Sequence, residues 1–462
     1  MTDVSETRVR RGPDPARMAA ARVLFAVYTQ DAYANLSARR QLDQADLDAR
    51  DRRFAAALIY ETISRTMSID YLLARLSSRP LDRLDPWVLT VLRMGVWQLV
   101  WSRSVPAPAA IDTSVRLATS RAGRGSGGYV NAVLRRLERE KPELPANDLA
   151  LEVSLPPELF GCLRKWFGQD EARRIGQHAL LGVARISVRV NRLRADPEGL
   201  AQALDAEPGR YCPEALSLAL QGHSVTSLPG WQAGHFSVQD EAAMLVGYAA
   251  GPQPGWTIVD LCAAPGGKAC HMAERTGDRA RIVAADVHAG RLQLVRDQAD
   301  RLGLAGVTTR QADAATGLDA QGANAFADLI GQADQVLADV PCSGLGLLGR
   351  KPEIRLHMTY ARMQTFLPLQ AAILDTADRL LKPGGVLIYS TCTLNPAENQ
   401  EQVAAFLARH PGRYRLEALS GLLPGAVLEQ PDLAGQAAQG QLQLLPHRHQ
   451  TDGFFIARLR KD

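Results

Sequence analysis

The chain of 462 residues has no apolar run approaching the roughly 18 residues that a membrane-crossing helix requires, and its best stretch, 88–101, is cut by Arg93. The opening residues carry acids and a proline and lack the apolar centre of a secretory leader, which predicts a cytoplasmic protein. Cysteine is scarce: six occur, Cys162, Cys212, Cys262, Cys270, Cys342 and Cys392, with no Cys-x-x-Cys pair and no histidines at zinc spacing. That pattern predicts neither a disulfide framework nor a metal. In a reducing compartment Cys162, Cys212 and Cys270 read as small buried hydrophobes. Position, rather than number, must justify the other three.

Charge is close to balance, +4 overall, but unevenly placed: residues 1–141 hold 23 Lys plus Arg against 15 Asp plus Glu, and the remainder holds 30 against 34. A basic segment on a near-neutral body fits a polyanion-docking module, and it fits a solvated helical surface equally well. The length predicts two or three domains.

From residue 14 to about 141 apolar residues recur at three and four, over 16–28, 53–66, 69–76, 86–101, 109–119 and 129–140, which predicts an all-helical domain at 1–141. The run Gly123-Arg-Gly-Ser-Gly-Gly128 matches G-x-G-x-x-G, yet a helix precedes it where a dinucleotide site needs a strand, so it reads as a helix connection. A proline-rich, polar stretch at 141–148 marks a boundary, and 150–250 reads as a small α+β module. From 251 to 462 apolar runs at 257–262, 281–287, 307–312, 335–340 and 386–391 alternate with amphipathic helices, and a last strand is expected at 454–459. This predicts an α/β fold, a Rossmann-like and mostly parallel sheet covered on both faces. Residues 318–332 read as an insertion, and 420–450 as a loose excursion.

The run Ile258-Val-Asp-Leu-Cys-Ala-Ala-Pro-Gly-Gly-Lys268 is strand, tight turn and helix start. Its small residues let a ligand approach the backbone, and the helix N-terminus supplies free amides; the spacing of an ATP-type phosphate loop is absent. Asp286 closes the next strand, where a carboxylate can accept ribose hydroxyls, and Asp313 closes the third, where it can face an adenine amine. Each alone reads equally well as a turn or helix cap. In sequence order they favour a nucleoside cofactor without a polyphosphate. Cys342, in Asp339-Val-Pro-Cys-Ser-Gly, and Cys392, in Ser390-Thr-Cys-Thr, close later strands whose carboxyl ends share one crevice.

These motifs, with Phe236-Ser-Val-Gln-Asp-Glu-Ala before them and Thr451-Asp-Gly-Phe-Phe-Ile-Ala-Arg-Leu after, resemble the NOP/Sun family of RNA cytosine-C5 methyltransferases. The helical N-terminus, including Val115-Arg-Leu-Ala and Tyr129-Val-Asn-Ala-Val-Leu-Arg-Arg-Leu, is similar to a NusB-type RNA-binding domain. The combination resembles the bacterial Sun-type enzymes of small-subunit (16S) rRNA. The resemblance implies a class I methyltransferase fold, with S-adenosyl-L-methionine over Cys262, Ala263, Ala264, Pro265, Gly266, Gly267 and Lys268. It further implies Asp286 on the ribose, Asp313 near the adenine, and Asp339 facing cofactor and base. Cys392 is implied as nucleophile and Cys342 as the group that assists release. Ala269 and Thr393 depart from the family's usual Thr and Ser, and neither change removes a reacting atom.

Cytosine C5 is too weak a nucleophile to take a sulfonium methyl unaided, whereas thiolate addition at C6 makes the ring an enamine. A free thiol near pKa ~8.5 must be activated, for which Lys268 is a candidate. Asp339 is placed to act on the N3 and N4 edge as a general acid, a role for which it must carry a proton. Spacing alone leaves open which cysteine attacks, and the resemblance selects Cys392. Cys262 reads as a packing residue. Arg350, Lys351 and Arg355 are candidates to grip phosphates beside a flipped base, and His357 reads as structural. A non-catalytic RNA-binding factor does not account for both thiols, and an amino-methyltransferase would want an Asn- or Asp-Pro-Pro-Tyr turn; transfer RNA stays open as acceptor. A monomer is favoured.

Overall fold

The computed structural model describes residues 13–182, 185–220 and 222–462, and the residues compared above with a secretory leader, 1–12, lie outside that set. The chain divides into two units, one made of Met1–Leu163, Gln169–Gly182 and Gly349–His357, the other of Arg164–Gly168, Val183–Leu348 and Met358–Asp462. Among the described residues no helix is long and apolar enough to cross a membrane.

The first unit is helical: Pro15–Gln30, Ala34–Gln44, Ala49–Ser64, Thr66–Leu76, Pro86–Val100 and Ala107–Glu140. Two of these helices begin with proline behind an aspartate cap. Asp14 accepts from the Arg17 amide, and Asp85 from those of Trp87 and Val88, so the first free amides are satisfied where the fixed proline φ starts the helix. Alanines 19, 20 and 21 with Val23, Leu24 and Val27 bury one face of the first helix completely or nearly so. Inside this apolar interior Arg93 is neutralised by a two-pronged bond to Asp70, at 2.8 and 2.7 Å. The glycine-rich run at 123–128 lies inside Ala107–Glu140 and only kinks it, at Gly123 with φ 82°. It is therefore not a phosphate-binding turn.

The 150–250 segment is shared between the units. The helix Leu149–Glu152 docks on the first unit's helices, where Ser68 donates to the Leu151 carbonyl at 2.7 Å, and Gln169–Leu181 also belongs to that unit. The strands Ala215–Leu218, Ile186–Val190 and Phe236–Val238, with the two-residue strand Glu207–Pro208 at the edge, form an antiparallel sheet of the second unit.

Residues 349–357 correct an expectation. Arg355 does not face solvent to grip phosphate; its side chain is wholly buried in the first unit, donating to the carbonyls of Ser64, Ser154 and Pro352. Burial pushes its guanidinium down to about 9. Arg350 and Lys351 remain half-buried. His357 is structural, its Nδ1 3.1 Å from Asp31.

The second unit is built on a large sheet. We number its strands β1 (Thr257–Asp260), β2 (Arg281–Asp286), β3 (Val307–Gln311), β4 (Ala333–Asp339), β5 (Leu381–Thr391), β6 (Tyr414–Leu416), β7 (Gln441–Leu444) and β8 (Phe454–Lys461). The order is β3-β2-β1-β4-β5-β8-β6, with β7 paired to β8. The first five are parallel, and β8 enters antiparallel beside β5. Strands β1, β4 and β5 carry long buried apolar stretches because helices cover both faces. Chain order reverses between β1 and β4, and ligands of open α/β sheets bind outside the strand ends at such a point.

Residues 420–450 are not a loose excursion. They form the helices Gly425–Leu428 and Pro431–Ala438 and strand β7, and they bury Val427, Leu433, Ala437, Leu442 and Leu444 completely. Gln and Gly disguise the segment because its apolar residues pack on partners distant in the chain.

Candidate active site

The parallel register brings the candidate residues together. Asp260 pairs with Leu337 across β1 and β4, and Asp339 with Ser390 across β4 and β5. The chain then leaves both strands in step, so Cys342 and Cys392 emerge side by side, their sulfurs 3.4 Å apart. Both thiols are partly exposed.

Lys268, in the first turn of helix α1 (Gly267–Arg275), reaches back to Asp339, Nζ to Oδ2 at 2.7 Å. The other Asp339 oxygen accepts from Ser390 Oγ at 2.7 Å. The Lys268 ammonium also sits 4.9 Å from the Phe454 ring centroid. Burial works to lower the Lys268 pKa, but the Asp339 carboxylate and a negative charge on Cys392 outweigh it and raise the pKa. The same attraction favours a thiolate at Cys392. Cys342 moves well upward, first because of its hydrogen bond with Cys392 and then through burial. Contact with Cys392 and burial thus act in the same direction on Cys342, holding its thiol protonated.

The turn before α1 fits a close ligand. Gly266 has φ 103°, and a Cβ there would lie 3.2 Å from Val295 Cα, so only glycine suits it. Asp286 at the end of β2 is 4% exposed; one oxygen accepts from the His288 amide at 2.9 Å and the other lies 3.3 Å from Arg291. Arg291 also donates to the Ala264 carbonyl at 2.8 Å, tying β2 to the turn. Asp313, two residues beyond β3, is half-buried and accepts from the Ala315 amide at 2.9 Å. Both aspartates are therefore turn caps whose remaining acceptor capacity faces the strand ends. Cys262 is inert: burial, then Asp260, Asp339 and Asp286, push its thiol well up.

Four participants were not singled out from sequence. Ser390 and Arg291 hold site residues, and Glu398 bonds the loop after Cys342. The fourth, Asp260, is 1% exposed, with no side-chain partner for its carboxyl and only the Cys262 backbone near enough to favour its charge. Burial, reinforced by Asp339 and only partly offset by Lys268, raises it to about 8. A buried acid beside Asp339 and Asp286, in a turn without a phosphate-binding pattern, fits a cofactor that is a positively charged nucleoside. Its strand-end position is the one signal sequence offered.

Asp260 has a consequence for stability. Its folded pKa lies above the unfolded value, so the folded state holds the proton longer, and stability falls as pH rises from about 4 to about 8 before levelling. Asp260→Asn should be indistinguishable from wild type in denaturant unfolding at pH 4 and more stable by about 3 kcal/mol or more at pH 8.5. Equal gains at both pH values would show that the carboxyl is not strained.

Comparison with known proteins agrees with this geometry. Residues 248–460 match the family described as 16S rRNA methyltransferase RsmB/F, and residues 14–139 match the NusB family. The chain is 36% identical to the ribosomal RNA small subunit methyltransferase B of Pseudomonas putida, over 96% of this chain and 98% of that one. The Xylella fastidiosa protein of the same name is also 36% identical, with the same two coverages of 96% and 98%. Among solved structures, that of PH0851 superposes with a TM-score of 0.80 at 26% identity, covering 96% of this chain and 99% of that one.

Proposed function

Because the chain belongs to the RsmB/F family of 16S rRNA methyltransferases, we propose that it methylates C5 of a cytosine in 16S rRNA through a transient bond between Cys392 and C6 of the ring. The observation that carries this reading is the Cys342–Cys392 contact at 3.4 Å at the strand ends that also carry the Lys268–Asp339 pair. S-adenosyl-L-methionine, held by the 262–268 turn with Asp260, Asp286, Asp313 and Asp339, supplies an electrophilic methyl carbon when bound.

Cys392 Sγ adds to C6, the C5–C6 π pair shifts to C4–C5, and the C4–N3 pair moves onto N3, which gains a proton; the resulting enamine is nucleophilic at C5. Asp339, fixed by Lys268 and Ser390, stands at the base edge where N3 takes this proton, and the proton leaves N3 again as the aromatic ring is restored. Bonding to carbon removes the negative charge from Cys392, and with it the largest influence holding the proton on Cys342. Cys342 then loses that proton to solvent and, as thiolate, takes hydrogen from the methylated C5. The C5–H electrons restore the C5–C6 double bond as the C6–S bond breaks and its electrons return to Cys392.

The basic helical segment 1–141 serves as the RNA-docking domain and 251–462 as the methyltransferase domain, with the residues of 150–250 divided between the two units, in a cytoplasmic protein. Bisulfite sequencing of cellular RNA with and without the protein tests the reading. One 16S cytosine should lose its protection when the protein is absent. Loss at a transfer RNA cytosine would change the acceptor, and no change anywhere would end the proposal.

A further inference from the structure

Glu398, in the Asn395-Pro-Ala-Glu-Asn run after Cys392, has no part in the scheme above, yet its side chain is completely buried and meets four neutral donors. Oε2 accepts from the Ser343 amide at 2.9 Å and from Gln370 Nε2 at 3.0 Å. Oε1 accepts from Ser343 Oγ at 2.5 Å and Asn395 Nδ2 at 2.9 Å. Ser343 follows Cys342, and Asn395 belongs to the loop that follows Cys392. A further bond, Ser343 Oγ to Thr393 Oγ1 at 2.6 Å, closes the ring between the loops. The Glu398 backbone is fixed too, its carbonyl accepting from the Tyr389 hydroxyl at 2.6 Å.

We propose that Glu398 is a positioning residue: its carboxylate clamps the two cysteine loops in sulfur contact and places a negative charge against the loop that carries Cys342. A carboxylate buried among neutral donors is costly to keep, and an apolar residue would fill the space more cheaply. Its charge acts on Cys342, adding to the hydrogen bond with Cys392 in holding that thiol protonated. Lys268, paired with Asp339, acts on Cys392 instead. The inference rests on the cysteine roles proposed above, but its first test does not.

That test is the pH profile of Cys342 alkylation by iodoacetamide, followed by peptide mass spectrometry in a Cys392→Ser background, with Glu398 intact or replaced. Glu398→Gln keeps the shape and removes the charge, so Cys342 should alkylate about fivefold faster at pH 8 and its midpoint should fall. Glu398→Asp keeps the charge and should leave the midpoint at the wild-type value. With Cys392 restored, Glu398→Gln should lower kcat about tenfold at unchanged KM without accumulating covalent enzyme–RNA adduct, because formation of the Cys392 thiolate and its addition to the ring are slowed rather than release. An unshifted midpoint in Glu398→Gln, or equal shifts in Gln and Asp, would overturn the proposal. Should Glu398→Gln fail to fold, Ser343→Ala provides the second arm, loosening the clamp while sparing the charge. It should slow release at an unchanged midpoint, and unimpaired release would overturn the clamp. Absence of methylation by the wild-type protein would instead refute the reaction and leave the alkylation result standing.

Discussion

Cys392→Ala is expected to lose methyl transfer by at least about 10⁴-fold while keeping its fold and its affinity for S-adenosyl-L-methionine. Without a sulfur to saturate C6, the C5 carbon stays within an aromatic ring and no neighbouring group substitutes. Ser390 and Thr393 offer hydroxyls, but Ser390 is committed to Asp339 and Thr393 to Ser343. The structural cost is small. Cys392 packs from the rim of the core, so loss of one sulfur costs about 1 kcal/mol. Circular dichroism and calorimetric titration of the cofactor separate the two effects. A denaturing gel adds the decisive readout, since this variant should form no RNA adduct under any condition. An adduct formed only by the Cys392 variant would reverse the two thiols.

The placement of these thiols was legible in sequence because strands β1, β2, β4 and β5 carry buried apolar residues, and parallel strands deliver their ends to one edge. Asp286, Asp313, Asp339 and Lys268 followed from the same logic, each standing just past an apolar run or at a helix start. Features that depend on a distant partner were not legible. Arg355 looks like a solvated cation until Ser64 and Ser154, far back in the chain, offer their carbonyls. The fold of 420–450 depends on strand β8 accepting β7 in register, Leu444 against Phe454, which no local periodicity announces. The glycines at 123–128 read as a helix connection, and the backbone does leave helical geometry at Gly123, φ 82°, where two helices meet at a kink. Asp260 and Glu398 are invisible for a related reason. A buried carboxyl has the same letter whether it lacks a side-chain partner, as Asp260 does, or is surrounded by donors, as Glu398 is.

Cys342→Ala is expected to trap the enzyme on its RNA as a covalent species that survives denaturation. Two effects of the substitution compete, and their sizes decide the outcome. Losing the Cys342 hydrogen bond makes the Cys392 thiolate harder to form, which slows addition about tenfold. Losing the base slows removal of the C5 proton by about 10²- to 10³-fold, since a positioned side chain must then be replaced by water. Release is hurt more than addition, so the adduct accumulates. Rapid-quench kinetics should show one methyl group transferred per enzyme in a burst, then almost no turnover. The trapped RNA should carry 5-methyl-5,6-dihydrocytosine attached at C6 to Cys392, readable by nuclease digestion and mass spectrometry. Raising the pH from 7 to 9 should restore turnover only weakly, because hydroxide must enter a site where Cys342 was already half-buried. A variant that turns over at the wild-type rate with no adduct would show that another group removes the proton and that Cys342 serves only to polarise its neighbour.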